Sequence, residues 1–149
     1  MPRMPAEVLG WSDHARLVLR RAGLRPGRAR DRIIDLLGDQ SCALTAVEIE
    51  DALRLQGRRT GRASVYRALD QLVEHGLVER VAVERDQSRF ERVLPSGEHH
   101  HHLVCDRCGR LVAFDDPGLE RAITRVSRRL GVRVDHHEVV LRGACEDCD

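Results

Sequence analysis

The sequence predicts an α+β chain in two parts. Three observations carry this. Apolar residues recur at helical spacing through the first 76 residues, and the spacing then changes to alternation. Beyond Pro95-Ser96-Gly97, two Cys-x-x-Cys pairs bracket a further mix of strand and helix signals. With 149 residues and 42% hydrophobic content, the chain can build one ordinary domain or two small ones with modest cores. Aromatic residues are only 3%, so Leu, Val, Ile and Ala must do most of the packing.

The elements follow in order. A helix is expected over residues 7–21. Residues 29–37 (ARDRIIDLL) follow the breaker pair Pro26-Gly27 and are expected to stop at Gly38. Residues 45–55 (TAVEIEDALRL) open with Thr45 as N-cap and Glu48 three positions on, the pattern of a capping box, and Gly57 ends them. Residues 62–75 (RASVYRALDQLVEH) place Val65, Leu69, Leu72 and Val73 on one side and close at Gly76. LVERVAV (77–83) and SRFERVL (88–94) then alternate with period two around the polar turn ERDQ, as a β-hairpin does.

Helices running directly into a two-stranded hairpin describe a winged helix-turn-helix. Residues 45–55 are its first helix, 56–61 the turn and 62–75 the recognition helix. This part is expected to span 1–94, with 95–98 as hinge and 99–149 as a second domain. There, 102–104 and 110–114 read as short strands flanking the first Cys pair. Residues 116–130 read as a helix, with Pro117 in its first turn and Gly131 past its end. Residues 132–141 (VRVDHHEVVL) read as a strand leading to the second pair, CEDC.

The net charge of +1 conceals an asymmetry: residues 1–76 carry 13 Arg against 10 acids, and residues 77–149 carry 12 against 14. Between Arg54 and Arg67 lie Arg54, Arg58, Arg59, Arg62 and Arg67 with no acid among them. Such a run at the start of a recognition helix suits a polyanion, although a solvated helix face is the plainer alternative. All basic residues are Arg, which fits a GC-rich coding bias as well as phosphate contact. No stretch approaches the roughly 18 apolar residues of a membrane span, and residues 1–22 lack the apolar core of a signal peptide. A cytoplasmic protein with no membrane association is therefore expected.

Five cysteines without a secretory signal argue for metal or redox chemistry rather than a disulfide framework. Cys105, Cys108, Cys145 and Cys148 form two pairs with 36 residues between them, and two such turns can supply four thiolates to one tetrahedral zinc. A thioredoxin-like redox motif would need a single pair at a helix N-terminus. Catalytic zinc readings lack the HExxH and His-x-Glu…Pro-Cys-x-x-Cys patterns, so no enzyme is expected. Cys42 is left over and is most simply a small buried hydrophobe.

Four consecutive histidines, His99 to His102, precede the first pair. On an extended strand His100 and His102 face one way and His99 and His101 the other, so one tetrad can feed two metal sites. Imidazole suits Fe(II), Zn(II), Ni(II) and Co(II), and a carboxylate would complete a site. Candidates are Glu79, Glu91, Glu120 and the His136-His137 pair; the bland alternative is an exposed polar strand end.

Taken together, GLRPGRAR (23–30), GRASVYRAL (61–69), GLVER (76–80), HHHHLVCDRCG (99–109) and the final CEDC make the chain resemble the ferric uptake regulator (Fur) family of metal-dependent bacterial repressors. The resemblance runs from about Leu17 to Cys148. It implies a homodimer, a winged-helix DNA-binding domain followed by a small α/β dimerisation domain, and repression of metal-homeostasis genes at a palindromic operator in double-stranded DNA. It further implies a structural Zn2+ on Cys105, Cys108, Cys145 and Cys148. A regulatory site for Fe2+ or Zn2+ would use His100, His102 and Glu91, with Glu79 as a further candidate, and an additional site would use His99, His101, Glu120 and His137. Tyr66 and Arg67 would meet bases or backbone, Ser64 a phosphate and Arg25 the minor groove, with Arg62 from the basic run beside them.

Two departures bear on the metal. Iron-type members usually add a histidine from the loop before the first helix of the motif, where this chain has Ala43 beside Cys42. Zinc-type members use a wing Asp and a Cys before the histidines, where this chain has Glu79 and, near the second position, Val93. Peroxide sensors favour Asp where Glu91 stands. Iron is expected ahead of zinc. The other reading of the same residues is a zinc-binding structural or interaction module without operator-specific DNA binding.

Overall fold

In a computed structural model of the chain, residues 10–40, 43–84, 87–95 and 99–148 are described, with only the backbone course given for 82–84. Cys42, most of the expected linker (96–98) and the tip of the hairpin (85–86) lie outside these residues. The chain divides into two compact units, residues 1–98 and 99–149.

The first unit holds α1 (Trp11–Arg21), α2 (Arg28–Asp39), β1 (Leu44–Thr45), α3 (Ala46–Leu55), α4 (Arg62–Glu74), β2 (Val78–Glu84) and β3 (Gln87–Arg92). Each helix buries one stripe at helical spacing: Trp11, Ala15 and Leu19; Ile33, Ile34 and Leu37; Ile49 and Leu53; Val65, Leu69 and Leu72. These converge with Val78 and Phe90 of the wing into one core. Trp11 also donates its indole N–H to the Val93 carbonyl at 3.0 Å, tying α1 to the end of the wing.

Thr45 caps α3 as its sequence predicts. The Glu48 amide donates to Thr45 Oγ1 at 3.1 Å, and Glu48 Oε2 accepts from the Thr45 amide at 2.8 Å. Gly57 and Gly76 have φ of +71° and +66°, which lets the chain leave α3 and α4 through left-handed turns closed by Arg58 N–H to Leu53 O and Leu77 N–H to Leu72 O. Gly38 does not stop α2, contrary to expectation; the helix continues to Asp39. The glycine serves the helix crossing instead, since a Cβ there would collide with Ser12 Oγ and lie 3.7 Å from the Trp11 ring.

The wing sheet has the order β1-β3-β2, all antiparallel. The two-residue β1, unforeseen in the sequence, pairs Leu44 with Phe90 and Thr45 with Arg89. In the hairpin, Glu79 pairs with Glu91 and so lies on the same face.

The second unit contains β4 (His101–Cys105), β5 (Leu111–Phe114), α5 (Pro117–Leu130) and β6 (Val140–Gly143). Its sheet has the order β5-β4-β6, antiparallel to β5 and parallel to β6. Asp116 caps α5 by accepting the Leu119 amide at 2.8 Å, and Gly131 ends it in a left-handed conformation. The strand expected over 132–141 is corrected to Val140–Gly143. Because β6 runs parallel to β4 with Val140 opposite His102, residues before Val139 would need ladder partners before His101, where β4 has not begun. The alternation in 132–138 was present, but the partner was not.

Candidate metal centres and nucleic-acid interface

The cysteines are brought together by two turns that follow the adjacent ends of the parallel strands β4 and β6. Gly109 N–H donates to Cys105 O and Cys148 N–H to Cys145 O, each at 2.8 Å, and Gly109 has φ +71°. The four Sγ atoms lie within 4.8 Å of one another, with Cys108 and Cys145 sulfurs 3.7 Å apart. The Cys145 amide donates to Cys105 Sγ at 3.4 Å. That amide, followed by the Cys108 amide, draws the Cys105 thiol down to about 6. Cys148 goes the other way, up to about 12, because its proton is shared first with Cys145 and then with Cys108. The pocket thus holds one thiolate readily and further ones only against mutual repulsion, which a soft divalent cation removes. Cys105 is buried, so the cluster is closed on that side.

A second convergence joins β4, α5 and the segment before β6. His101 Nε2 lies 2.7 Å from Glu120 Oε1, and His137 Nε2 lies 3.0 Å from Oε2. His99 Nε2 is 3.4 Å from Glu120 Oε1 and 3.1 Å from His137 Nε2. Three imidazoles and one carboxylate therefore point their donor atoms at a common centre, all within 4.8 Å. His101 is 1% exposed, so one wall of this site is fixed by packing. The His101 hydrogen bond, then that of His137, holds the Glu120 carboxyl down to about 2. A permanently charged carboxylate among imidazole nitrogens is a donor set for a borderline divalent metal. His136, the neighbour of His137 in sequence, is exposed and outside this group.

The other two histidines face away from that cluster. The rings of His100 and His102 lie 5.0 Å apart, centroid to centroid, and His102 is buried. The alternation expected of the tetrad is thus the arrangement seen on the strand. In the first unit Glu91 is a buried carboxylate on β3 with Glu79 beside it in register.

On α4 the residues opposite the buried stripe are Arg62, Tyr66 and Arg67, all exposed, with Ser64 half-buried between them. Arg67 donates to Ser64 Oγ at 3.2 Å, and Arg62 Nε pairs with Glu50 Oε2 of α3 at 3.1 Å. Tyr66 is 44% exposed, so part of its ring is presented to solvent. Arg25 is exposed in the α1–α2 loop. Sequence reasoning missed Glu50 as the partner of Arg62, since nothing in one helix announces a carboxylate on another. It also missed Arg30, whose place on the apolar stripe of α2, three and four residues before Ile33 and Ile34, was a legible signal.

Residues 21–142 match the model of the ferric uptake regulator family. The chain is 32% identical over 131 residues to the ferric uptake regulation protein of Bordetella parapertussis, covering 87% of this chain and 93% of that one. It is 34% identical over 130 residues to the protein of the same name from Vibrio anguillarum, covering 87% and 86%. The crystal structure of the Vibrio cholerae ferric uptake regulator superposes with a TM-score of 0.78 at 32% identity, over 87% of this chain and 98% of that one. The ferric uptake regulator from Francisella tularensis with iron superposes with a TM-score of 0.74 at 28% identity, over 85% and 95%.

Proposed function

The chain belongs to the ferric uptake regulator family of metal-responsive transcriptional regulators, which bind DNA as dimers and are not enzymes, and from that premise we propose that it is a cytoplasmic, iron-responsive repressor of metal-homeostasis genes. One observation carries the reading. The histidine run of β4 splits its donors between two faces beside a four-cysteine cluster, so structural and sensing duties can sit on a single strand.

Cys105, Cys108, Cys145 and Cys148 fit a structural Zn2+, because four convergent sulfurs leave no position open for a substrate. His100 and His102 with Glu91, and with Glu79, the register partner of Glu91 on the wing, as a further candidate, are proposed as the regulatory site. Its nitrogen and oxygen donors, without thiolate, accommodate Fe2+ as they do Zn2+, and the relatives' names favour iron. His99, His101, Glu120 and His137 form the additional site. A cation there would supply positive charge, which Glu91 and the His100 and His102 imidazoles would hold. With residues 95–98 proposed as the hinge, loading would shift the population toward the arrangement in which two wings fit a palindromic operator.

Arg62, Ser64, Tyr66 and Arg67 are proposed to enter the major groove and Arg25 the minor groove. Homodimerisation is supported by the apolar surface that the second unit leaves uncovered: Val112, Val126, Leu130 and Leu141 are all more than 40% exposed, and no residue of α5 is buried. The test is His100→Ala. Metal-dependent duplex binding should disappear while the dimer and its clip zinc persist; undiminished metal dependence would overturn the site assignment.

A further inference from the structure

In the first unit, the charged residues buried among those described are Arg30 and Glu91. Arg30 stands on the apolar face of α2 and is 8% exposed, yet its guanidinium reaches two different elements. Nη1 donates to Gln71 Oε1 on α4 at 2.7 Å, and Nη2 donates to the backbone carbonyl of Arg25 in the α1–α2 loop. We propose that Arg30 is a positioning residue for DNA recognition: a buried strut that locks the loop carrying Arg25 to the recognition helix, and so fixes the register between minor-groove and major-groove contacts. This rests on the reading that Arg25 and α4 are the DNA-contacting elements.

The physical case is one of rigidity. A guanidinium is a planar fork whose donors diverge at fixed angles, so satisfying both acceptors sets their separation. Burial makes the demand strict, because a buried charge stripped of its acceptors is costly. The Arg25 side chain is exposed, while its carbonyl is the atom held. The backbone bonds that otherwise hold the loop between Ala22 and Gly27 lie before Arg25, Gly23 N–H to Arg20 O and Leu24 N–H to Leu19 O, each at 3.0 Å, so the Arg30 contact sets where Arg25 leaves the surface. Gln71 lies one helical turn beyond Arg67, so the same strut ends on the helix that carries the base-reading arginine. Without it, ordering the Arg25 backbone would fall on the binding step.

The test uses the full-length, metal-loaded dimer and a duplex selected by the wild-type protein from a random-sequence pool. Adenines in that duplex are replaced singly by 2,6-diaminopurine, which adds an amino group in the minor groove and leaves the major-groove edge unchanged. Wild type should lose affinity at the positions Arg25 reads, and Arg25→Ala should not. Gln71→Met removes the strut's acceptor on α4 without touching Arg25. It should bind the unmodified duplex roughly 30-fold more weakly, the cost of ordering one backbone residue in each protomer, and lose most of the discrimination against diaminopurine. Gln71→Glu, which keeps an acceptor, should restore both. In an Arg25→Ala background Gln71→Met should add nothing. A merely structural Gln71 would lower the melting temperature and leave discrimination intact. Wild-type discrimination in Gln71→Met, or a full additive loss in the Arg25→Ala background, overturns the strut alone. Absence of discrimination in the wild type overturns the minor-groove reading and the strut with it.

Discussion

Arg67→Ala gives the sharpest separation between a regulator that reads an operator and a zinc-binding module that does not. The side chain is exposed, and among the described residues its polar partner is Ser64 Oγ at 3.2 Å on the same helix. Truncation therefore removes no buried contact, and the stability change should stay within about 0.5 kcal/mol. An arginine meeting a base edge contributes about 1–3 kcal/mol of discrimination. A dimer presents the residue twice, so the selected duplex should bind about 2–6 kcal/mol more weakly, roughly 30-fold to 20,000-fold. A scrambled duplex should lose far less. Fluorescence anisotropy on both duplexes across a salt series makes the comparison. Equal losses on both, with a shallower salt slope, would make Arg67 a phosphate contact. No loss on either would favour the module.

Other outcomes follow from the same geometry. Cys105→Ser should empty the four-sulfur cluster, because metal assembly in small domains is worth on the order of 10 kcal/mol of folding free energy. Residues 99–149 should then lose their cooperative melting transition, and retention of one zinc per chain by elemental analysis would refute the clip. Thr45→Ala removes half of a reciprocal cap and should cost about 1 kcal/mol, seen calorimetrically as a fall of about 4–8 °C in the melting of the first unit. In chelated protein, Glu120 stabilises the folded state fully above its ordinary value of 4.5, and that contribution disappears as pH falls toward about 2. Glu120→Gln should flatten acid unfolding of the second unit across that window, and superimposable acid profiles would contradict the His101–Glu120 contact.

What the sequence revealed was local or strictly periodic. The Thr45–Glu48 cap was legible because its two partners are three residues apart, and the histidine split because a strand alternates whatever surrounds it. The recognition stripe of Val65, Leu69 and Leu72 was legible for the same reason. The misreadings were tertiary. Gly38 carries the mark of a helix stop, yet it sits inside the helix where α1 crosses, and a Cβ there would have to displace the Ser12 hydroxyl. Residues 132–138 alternate like a strand but run beyond the start of β4, and a ladder needs a partner. β1 is two residues long and has no pattern to detect. His137 was recognisable as a ligand type, but its meeting with Glu120 and His101 depends on how α5 and the segment before β6 pack on β4.

The central claim is that metal held by residues of both domains, beyond the clip zinc, switches DNA binding. Chelated protein retaining its clip zinc, titrated with each divalent metal against the selected duplex while bound metal is counted per chain, tests it most directly. Affinity should rise as a second equivalent binds, with Fe2+ among the metals that activate, although Zn2+ binds such nitrogen and oxygen donors more tightly at equal free concentration. Full-strength binding with the clip zinc alone, unaffected by further metal, would contradict it.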